Sequence, residues 1–491
     1  MNVIQNLYRQ PLGLLTDFYQ LTMAYGYWKQ GLAQKESVFH LFFRRNPYQG
    51  GFTITAGLEY VIDYLNGFAF NEQDLDYLRS LHGNDGKPMF EPAFLDYLKK
   101  LEFNCQVDAI PEGTLVFPQE PLIRVQGEIL QCQLLETPLL NMINFQSLIA
   151  TKAARISLAA QGEPVMEFGL RRSQGIDGAL SASRAAFIGG CSSTSNVLAG
   201  KLFGIPVSGT HAHSWVMSFE NELESFKAYA EALPNNCIFL VDTYDTLQGV
   251  KNAIEVGKAL KAQGKQMAGI RIDSGDLAYF STKARELLDQ AGFDQAKIVA
   301  SNNLDENIVT SLKDQDAAID TWGIGTKLVT AFDQPALGAV YKLSAIKTEQ
   351  GQWDYKIKLS EQAVKVNNPG VQQVRRFRNN NSLVADMIYD QPLGVDESRT
   401  IIDPMDATKR RSLSSEHYQH EDLLQPVFRD GKQVYQKPDI KVIKQRVIEQ
   451  IQSLDKGIQR FVNPHTYPVG LEQQLYDLKT KLIFKLRNIN T

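Results

Sequence analysis

The sequence predicts an α/β protein centred on an irregular β/α barrel, and three observations carry that prediction. Between about residues 163 and 330, short apolar segments recur at intervals of roughly 20–35 residues, with helical patterns between several of them. Polar residues gather where those segments end, which is where a barrel of this kind keeps its chemistry. On either side the texture changes to alternating strands punctuated by Pro and Gly, so a second, α+β domain is expected from the N-terminal and C-terminal segments together. At 491 residues and 43% hydrophobic content, the chain is too long for one ordinary domain and can bury a substantial core.

Taken in order, Asp17 is placed to cap a helix beginning at Phe18. Tyr19 then falls in the first turn, either as a core residue or as a ring able to stack on a planar ligand. Residues 37–55 read as two strands joined by an Asn-Pro and Gly-Gly turn, with Arg44 and Arg45 on a solvated edge and an amphipathic helix following from Leu58. Residues 102–125 read as a small β-rich layer, and a long helical pattern from Ile129 to Ala160 leads out of it. The expected division is therefore 1–135 as an N-terminal α+β layer, 136–340 as the barrel, and 341–491 as hairpins and helices that pack on the N-terminal layer. Within the last segment, YKIKLS and VQQVRRF read as strands, while 439–461 and 470–488 read as charged amphipathic helices. Arg375, Arg376 and Arg378 read as a solvated strand edge.

The barrel strands legible in the sequence are PVMEFGL, AFIGG, IPVSG, CIFLVD, MAGIRID, KIVAS and DTWGIG. Seven strands imply an irregular barrel or one more strand not yet located. A doubly wound open sheet is the alternative, and it too places ligands at strand C-termini.

Composition excludes several classes. With 51 basic and 55 acidic residues the net charge is −4, which gives no general reason to expect nucleic acid or an anionic membrane as partner. No basic segment leads into an apolar one at the N-terminus and no apolar run is long enough to span a bilayer, so a cytoplasmic protein is expected. Cys105, Cys132, Cys191 and Cys237 are far apart and form no CxxC pair, which argues against a zinc site and a disulfide framework and for buried thiols.

The chemistry concentrates on the barrel loops. GIPVSGTHAHSWVMSF, residues 204–219, runs from a short apolar strand through a turn to two of the seven histidines, His211 and His213, and into a helix start at Ser214. Neighbours at i and i+2 share a face only in extended chain, so one histidine of the pair is expected to act. Gly323-Ile324-Gly325-Thr326 offers backbone N–H groups and a hydroxyl at a turn into a helix, suited to a phosphate. Arg171-Arg172 can grip a diphosphate bidentately. Asp273 and Asp276 are hard oxygen donors for ribose hydroxyls or for water around Mg²⁺, and Arg271 can pair with a carboxylate. A reaction on a sugar phosphate is implied, with His213 as general base, as hydrogen-bond donor to a leaving oxygen, or as a nucleophile that becomes phosphorylated.

Five strings, TDFYQLTMAYGYW, EFGLRRSQGIDGALSASRAAFIGGCSSTSNVLAG, PVSGTHAHSWVMSF, GIRIDSGDLAYFS and IGIGTKLVT, closely resemble nicotinate phosphoribosyltransferase. The resemblance implies a type II phosphoribosyltransferase fold and the condensation of nicotinate with 5-phosphoribosyl 1-diphosphate in NAD salvage. It also implies coupling to ATP hydrolysis through a phosphohistidine, with Mg²⁺, and a homodimer with shared active sites. By the same resemblance His213 is the phosphorylated histidine, while Thr210 and Tyr19 hold nicotinate, the tyrosine being one that can reach in from the partner subunit. Arg271 meets its carboxylate, Gly325 and Thr326 meet the 5-phosphate, and Arg171 and Asp273 meet phosphate and ribose. The related nicotinamide enzyme is the competing possibility, but it carries an aspartate where this sequence has Ser195. An aspartate repels a carboxylate and a hydroxyl donates to it, which favours the acid substrate. A non-catalytic nucleotide-binding homologue is the alternative from another class, and the intact Thr210, His213, Arg271, Asp273 and Thr326 speak against it.

Overall fold

The structure is a computed structural model, and it describes residues 11–488. Residues 1–10, on which the expectation about the N-terminus partly rests, lie outside the described residues. The chain forms two compact units. One comprises Met1–Ser147, Ala336–Asp439 and Glu449–Thr491, and the other Leu148–Pro335 with Ile440–Ile448. These divisions fall at 147/148 and 335/336 rather than at the expected 135/136 and 340/341, the first of them inside the helix Glu136–Ala159.

In the first unit an antiparallel seven-stranded sheet joins both ends of the chain. Its central strand Glu36–Phe42 is buried from Ser37 onward and pairs on one side with Ile123–Glu128 and on the other with Val340–Lys347. Gln425–Arg429 extends the same sheet by pairing with Gln106–Ala109. A second, six-stranded sheet is built wholly from residues after 371. Asp17 occupies the N-cap position of the helix Phe18–Lys29 but makes no capping hydrogen bond, its carboxylate being engaged by Thr137 Oγ1 at 2.8 Å. Tyr19 is 47% exposed, so it is not a core residue.

The arginine run differs from its expectation. Gln372–Asn379 is flanked on both sides, by Ser382–Asp390 and Tyr418–Asp422, so it is no edge. Arg376 is fully buried, grips Asp386 through Nε at 3.0 Å and lies over the ring of Phe117, which in turn stacks on Tyr467. Tyr467 donates its hydroxyl hydrogen to Asp386 at 3.0 Å. Burial, with the Asp386 carboxylate beside it, pushes the pKa of the Glu120 carboxyl well above its usual range. Arg375 pairs with Asp422 at 2.8 Å and Arg378 with Glu421 at 3.1 Å.

The second unit holds the barrel strands: β1 (Val165–Glu167), β2 (Ser193–Thr194), β3 (Ile238–Leu240), β4 (Gly269–Ile272), β5 (Lys297–Asn302) and β6 (Thr321–Ile324). All pairings are parallel, in the order β2-β1-β6-β5-β4-β3, and Val207 adds an isolated parallel bridge to Thr194 on the outer side of β2. Strand order thus follows chain order around the ring, as in a barrel, with a seam between Val207 and β3. Two strand expectations fail. AFIGG is the end of the helix Gly175–Ile188 and the turn after it, because its alanines and Phe187 continue the helical spacing of the preceding turns. The strand instead lies at Ser193–Thr194, in a polar run that carries no hydrophobic signal. IPVSG contributes only the bridge at Val207, whose side chain is half exposed.

Replacing Arg376 with Met leaves the Asp386 carboxylate buried without its cation, and we expect a loss of about 3 kcal/mol in stability, read as a lower urea midpoint.

Candidate active site

The loops after the barrel strands enclose a cavity of about 460 Å³ in the second unit. Arg171, Arg172, Ser195, Thr210, His213, Arg271, Asp273, Gly325 and Thr326 all line it, whereas Asp276 does not: it is the N-cap of the helix Leu277–Gln290, its Oδ1 accepting the Tyr279 N–H at 3.0 Å. Tyr19 belongs to the first unit, on the exposed first turn of its helix.

Each side chain is delivered by a strand end. Arg271 comes from β4 and donates from Nη1 to Thr210 Oγ1 at 2.5 Å, while its Nη2 lies 3.7 Å from Asp273 Oδ1. Its Nε is buried and has no partner, leaving a guanidinium with donor capacity to spare for an anion in the cavity. Burial pulls the Arg271 pKa down from its usual value, and Asp273 and Asp242 pull it back up. Asp273 accepts from the Ser301 hydroxyl, and its own backbone N–H donates to Asp242 Oδ2 at 2.9 Å. The Ser274 hydroxyl donates to the same Asp242 oxygen at 2.7 Å, so the RIDSGD loop is pinned from beneath.

The two histidines have different surroundings. His213 opens the helix His213–Met217, with Nδ1 3.1 Å from Thr243 Oγ1 and Nε2 3.8 Å from Asp273 Oδ2. His211 is buried among Phe226, Tyr229 and Phe239 and accepts the Leu240 N–H at Nε2, 3.2 Å away. Leu240 ends β3 at the barrel seam, so this imidazole takes the place of a missing ladder bond. Burial pushes the His211 pKa down to about 4, so the ring is neutral near pH 7, and acceptance at Nε2 sets its hydrogen on Nδ1. Only His213 is left to act as a reactive group.

Sequence reasoning missed Phe168. The EFG run reads as strand, yet β1 ends at Glu167, and Phe168 lines the cavity as a flat apolar surface for a planar ring. Gly323 makes room for it, since a Cβ there would come within 2.8 Å of the Phe168 ring. Asn302, also in the lining, has φ 142°, a backbone region nearly confined to glycine. The hard oxygens of Asp273 and of Asp242, whose Oδ1 is buried without a partner, suit Mg²⁺. Among the described residues there is no cluster of three or more His, Cys, Asp or Glu able to hold a metal, so an ion there would need further ligands from outside the protein.

A barrel of this irregular form, with arginine- and glycine-bearing loops around one solvent-reached histidine, is a type II phosphoribosyltransferase fold. Family models support the assignment: the nicotinate phosphoribosyltransferase N-terminal domain matches residues 14–144, the family's central model 164–368 and its C-terminal domain 371–479. The chain is 44% identical over 482 residues to nicotinate phosphoribosyltransferase of Bacillus subtilis, covering 97% of this chain and 96% of that one. A crystal structure of human nicotinic acid phosphoribosyltransferase superposes with a TM-score of 0.83 at 32% identity, covering 95% and 99% of the two chains. The chain belongs to the nicotinate phosphoribosyltransferase family.

On acidification, the unfolded chain protonates His211 first, near the usual 6.5, while the folded chain resists until about 4. Stability present above pH 6.5 is therefore lost as pH falls through that window. The drop in melting temperature between pH 7.5 and pH 5 is expected to be smaller in His211→Gln, which keeps an acceptor but cannot titrate; an equal drop in both proteins would contradict this account.

Proposed function

We propose that the protein joins nicotinate to 5-phosphoribosyl 1-diphosphate, giving nicotinate mononucleotide and diphosphate in NAD salvage, with ATP hydrolysis coupled through a phosphorylated His213. The observation that carries this reading is the Thr210–Arg271 pair beside His213, a hydroxyl and a guanidinium with spare donors next to a solvent-reached imidazole. Nicotinate lies with its ring on Phe168 and its carboxylate toward Arg271, Thr210 and Ser195. A carboxylate is favoured there over an amide because the Arg271 guanidinium can only donate and no carboxylate among these three groups opposes it.

The pyridine nitrogen attacks the ribosyl C1 as the bond from C1 to the diphosphate oxygen breaks, and the diphosphate departs with the electron pair. That nitrogen bears no proton, so the step needs no general base, and the roles left to His213 are donor to the leaving oxygen and phosphorylated nucleophile, of which the proposal takes the second. What the protein supplies is position and charge: Arg171 for the departing diphosphate, Gly325 and Thr326 for the 5-phosphate, and Asp273 for ribose. Asp273 and Asp242 are the residues that would hold Mg²⁺, whose part is to neutralise the diphosphate. In the coupled step the γ-phosphoryl group of ATP passes to a ring nitrogen of His213, ADP leaves, and water later takes the phosphoryl group. While present, that group adds negative charge beside Arg271 and Asp273 and so reorders the cations that meet the substrate.

A homodimer in the cytoplasm completes the proposal. Supporting the dimer are exposed apolar side chains on both units, Phe18 and Met23 beside Tyr19 in one, and Val197, Leu198 and Leu202 in the other. Among the described residues no helix is long and apolar enough to cross a membrane.

Mononucleotide formation is measured with nicotinate and with nicotinamide, each with and without ATP. Turnover of nicotinate, raised by ATP, is expected, and His213→Ala should abolish the ATP stimulation. Preference for nicotinamide would overturn the selectivity, and no turnover of either would put a binding-only role in its place. In Ser195→Asp, we expect kcat/KM for nicotinate to fall more than about tenfold through charge repulsion at the carboxylate.

A further inference from the structure

We infer that Glu167, the last residue of β1, is the positioning residue that sets the spacing between two neighbouring segments lining the substrate cavity; the inference rests on the phosphoribosyl-transfer reading above. Its side chain is fully buried, and its partners are neutral donors. Oε1 accepts the Gly169 N–H. Oε2 accepts the Ser183 hydroxyl at 2.8 Å and the Thr194 hydroxyl at 2.5 Å.

Those donors belong to separate pieces of the site. Gly169 begins the short 3₁₀ turn Leu170–Arg172, and Phe168, Leu170, Arg171 and Arg172 around it line the cavity. Thr194 precedes Ser195 on the adjacent strand β2, and the Ser195 N–H donates to the backbone carbonyl of Glu167 itself at 2.9 Å. Thr194 Oγ1 also accepts the Asn196 N–H at 3.0 Å, and Asn196 caps the next helix by accepting from Ala199 at 3.2 Å. Ser183 ties the pair to the helix Gly175–Ile188, and Asn196 Nδ2 donates to Ser183 Oγ at 3.2 Å. One carboxylate therefore holds the ring-stacking and diphosphate-binding turn, the Ser195 strand and the helix between them at one separation.

β2 is only two residues long, so few ladder bonds resist its displacement. A buried carboxylate is costly unless every oxygen is satisfied, and three donors meet that requirement here. Its energetic return is geometric: a shift of about 1 Å in a substrate-positioning group can cost on the order of a hundredfold in rate.

Glu167→Leu keeps the size of the side chain and removes every acceptor. Glu167→Gln keeps a carbonyl for the Gly169 N–H and offers an amide to hydroxyls that can rotate. In protein whose folded fraction is set by circular dichroism and active-site titration, we expect Glu167→Leu to raise KM for both nicotinate and phosphoribosyl diphosphate more than about tenfold, and Glu167→Gln to recover to within about threefold. If activity falls only in proportion to the folded fraction, with both KM values unchanged, Glu167 is merely structural and the inference is wrong. Should Glu167→Leu fail to fold, Thr194→Val removes one donor alone, and unchanged KM values in that variant overturn the inference equally. Absence of nicotinate turnover in the unsubstituted enzyme would instead sink the functional reading on which the inference stands.

Discussion

A ring of parallel strands must satisfy the backbone groups of each strand against its neighbours, and this barrel does so everywhere except at one seam. There the Leu240 N–H finds an imidazole instead of a strand. The same segment that supplies that imidazole carries Thr210 and His213, so closing the barrel and placing the reactive histidine are a single structural act. The alternation of two histidines gains a physical meaning: one ring is committed to the backbone and held neutral by burial, and the next but one faces the cavity. Arg271, from the strand beside β3, then meets Thr210 across the seam.

Much of this was legible in the sequence, for identifiable reasons. Strands β1, β3, β4, β5 and β6 are apolar runs bounded by polar or glycine-rich turns, and an apolar run buried on both faces is the strongest signal a parallel strand gives. Their C-terminal residues could be named because barrel chemistry is confined to one face. What escaped depends on partners distant in sequence. β2 is two hydroxyl residues with no hydrophobic pattern, defined only by pairing with β1. Phe168 was concealed by standing one place beyond a strand of similar character, and Arg376 resembled a solvated edge because its counter-ion lies ten residues on, in the next strand. His211 and His213 are chemically identical in sequence and are separated only by where their rings are packed.

Buried charge serves two different purposes in the two units. Around Arg376 the ions meet one another, with Asp386 held by Arg376 and Tyr467 and the buried Glu120 beside them, under an aromatic stack. Such a cluster costs desolvation and returns specificity of packing, since removing any member strands the rest. Near the cavity the charges are arranged otherwise. Asp242 spends one oxygen on the RIDSGD loop, and Arg271 keeps Nε unpartnered. A cluster complete in itself stabilises, whereas groups left partly unsatisfied can attract a ligand.

The seven-stranded sheet has a consequence for how the chain is made. Glu36–Phe42, Ile123–Glu128 and Gln106–Ala109 are synthesised early, but the strands that flank this trio, Val340–Lys347 beside Glu36–Phe42 and Gln425–Arg429 beside Gln106–Ala109, emerge only after the whole barrel segment has been translated. At about 5–20 residues per second that interval is tens of seconds, during which the nascent N-terminal strands present open backbone edges. The contiguous run Leu148–Pro335 can collapse meanwhile, so the barrel segment is the natural first domain to form on the ribosome. The N-terminal layer, though translated first, is completed last, and for that interval its unpaired edges are the part of the newborn chain most in need of a chaperone.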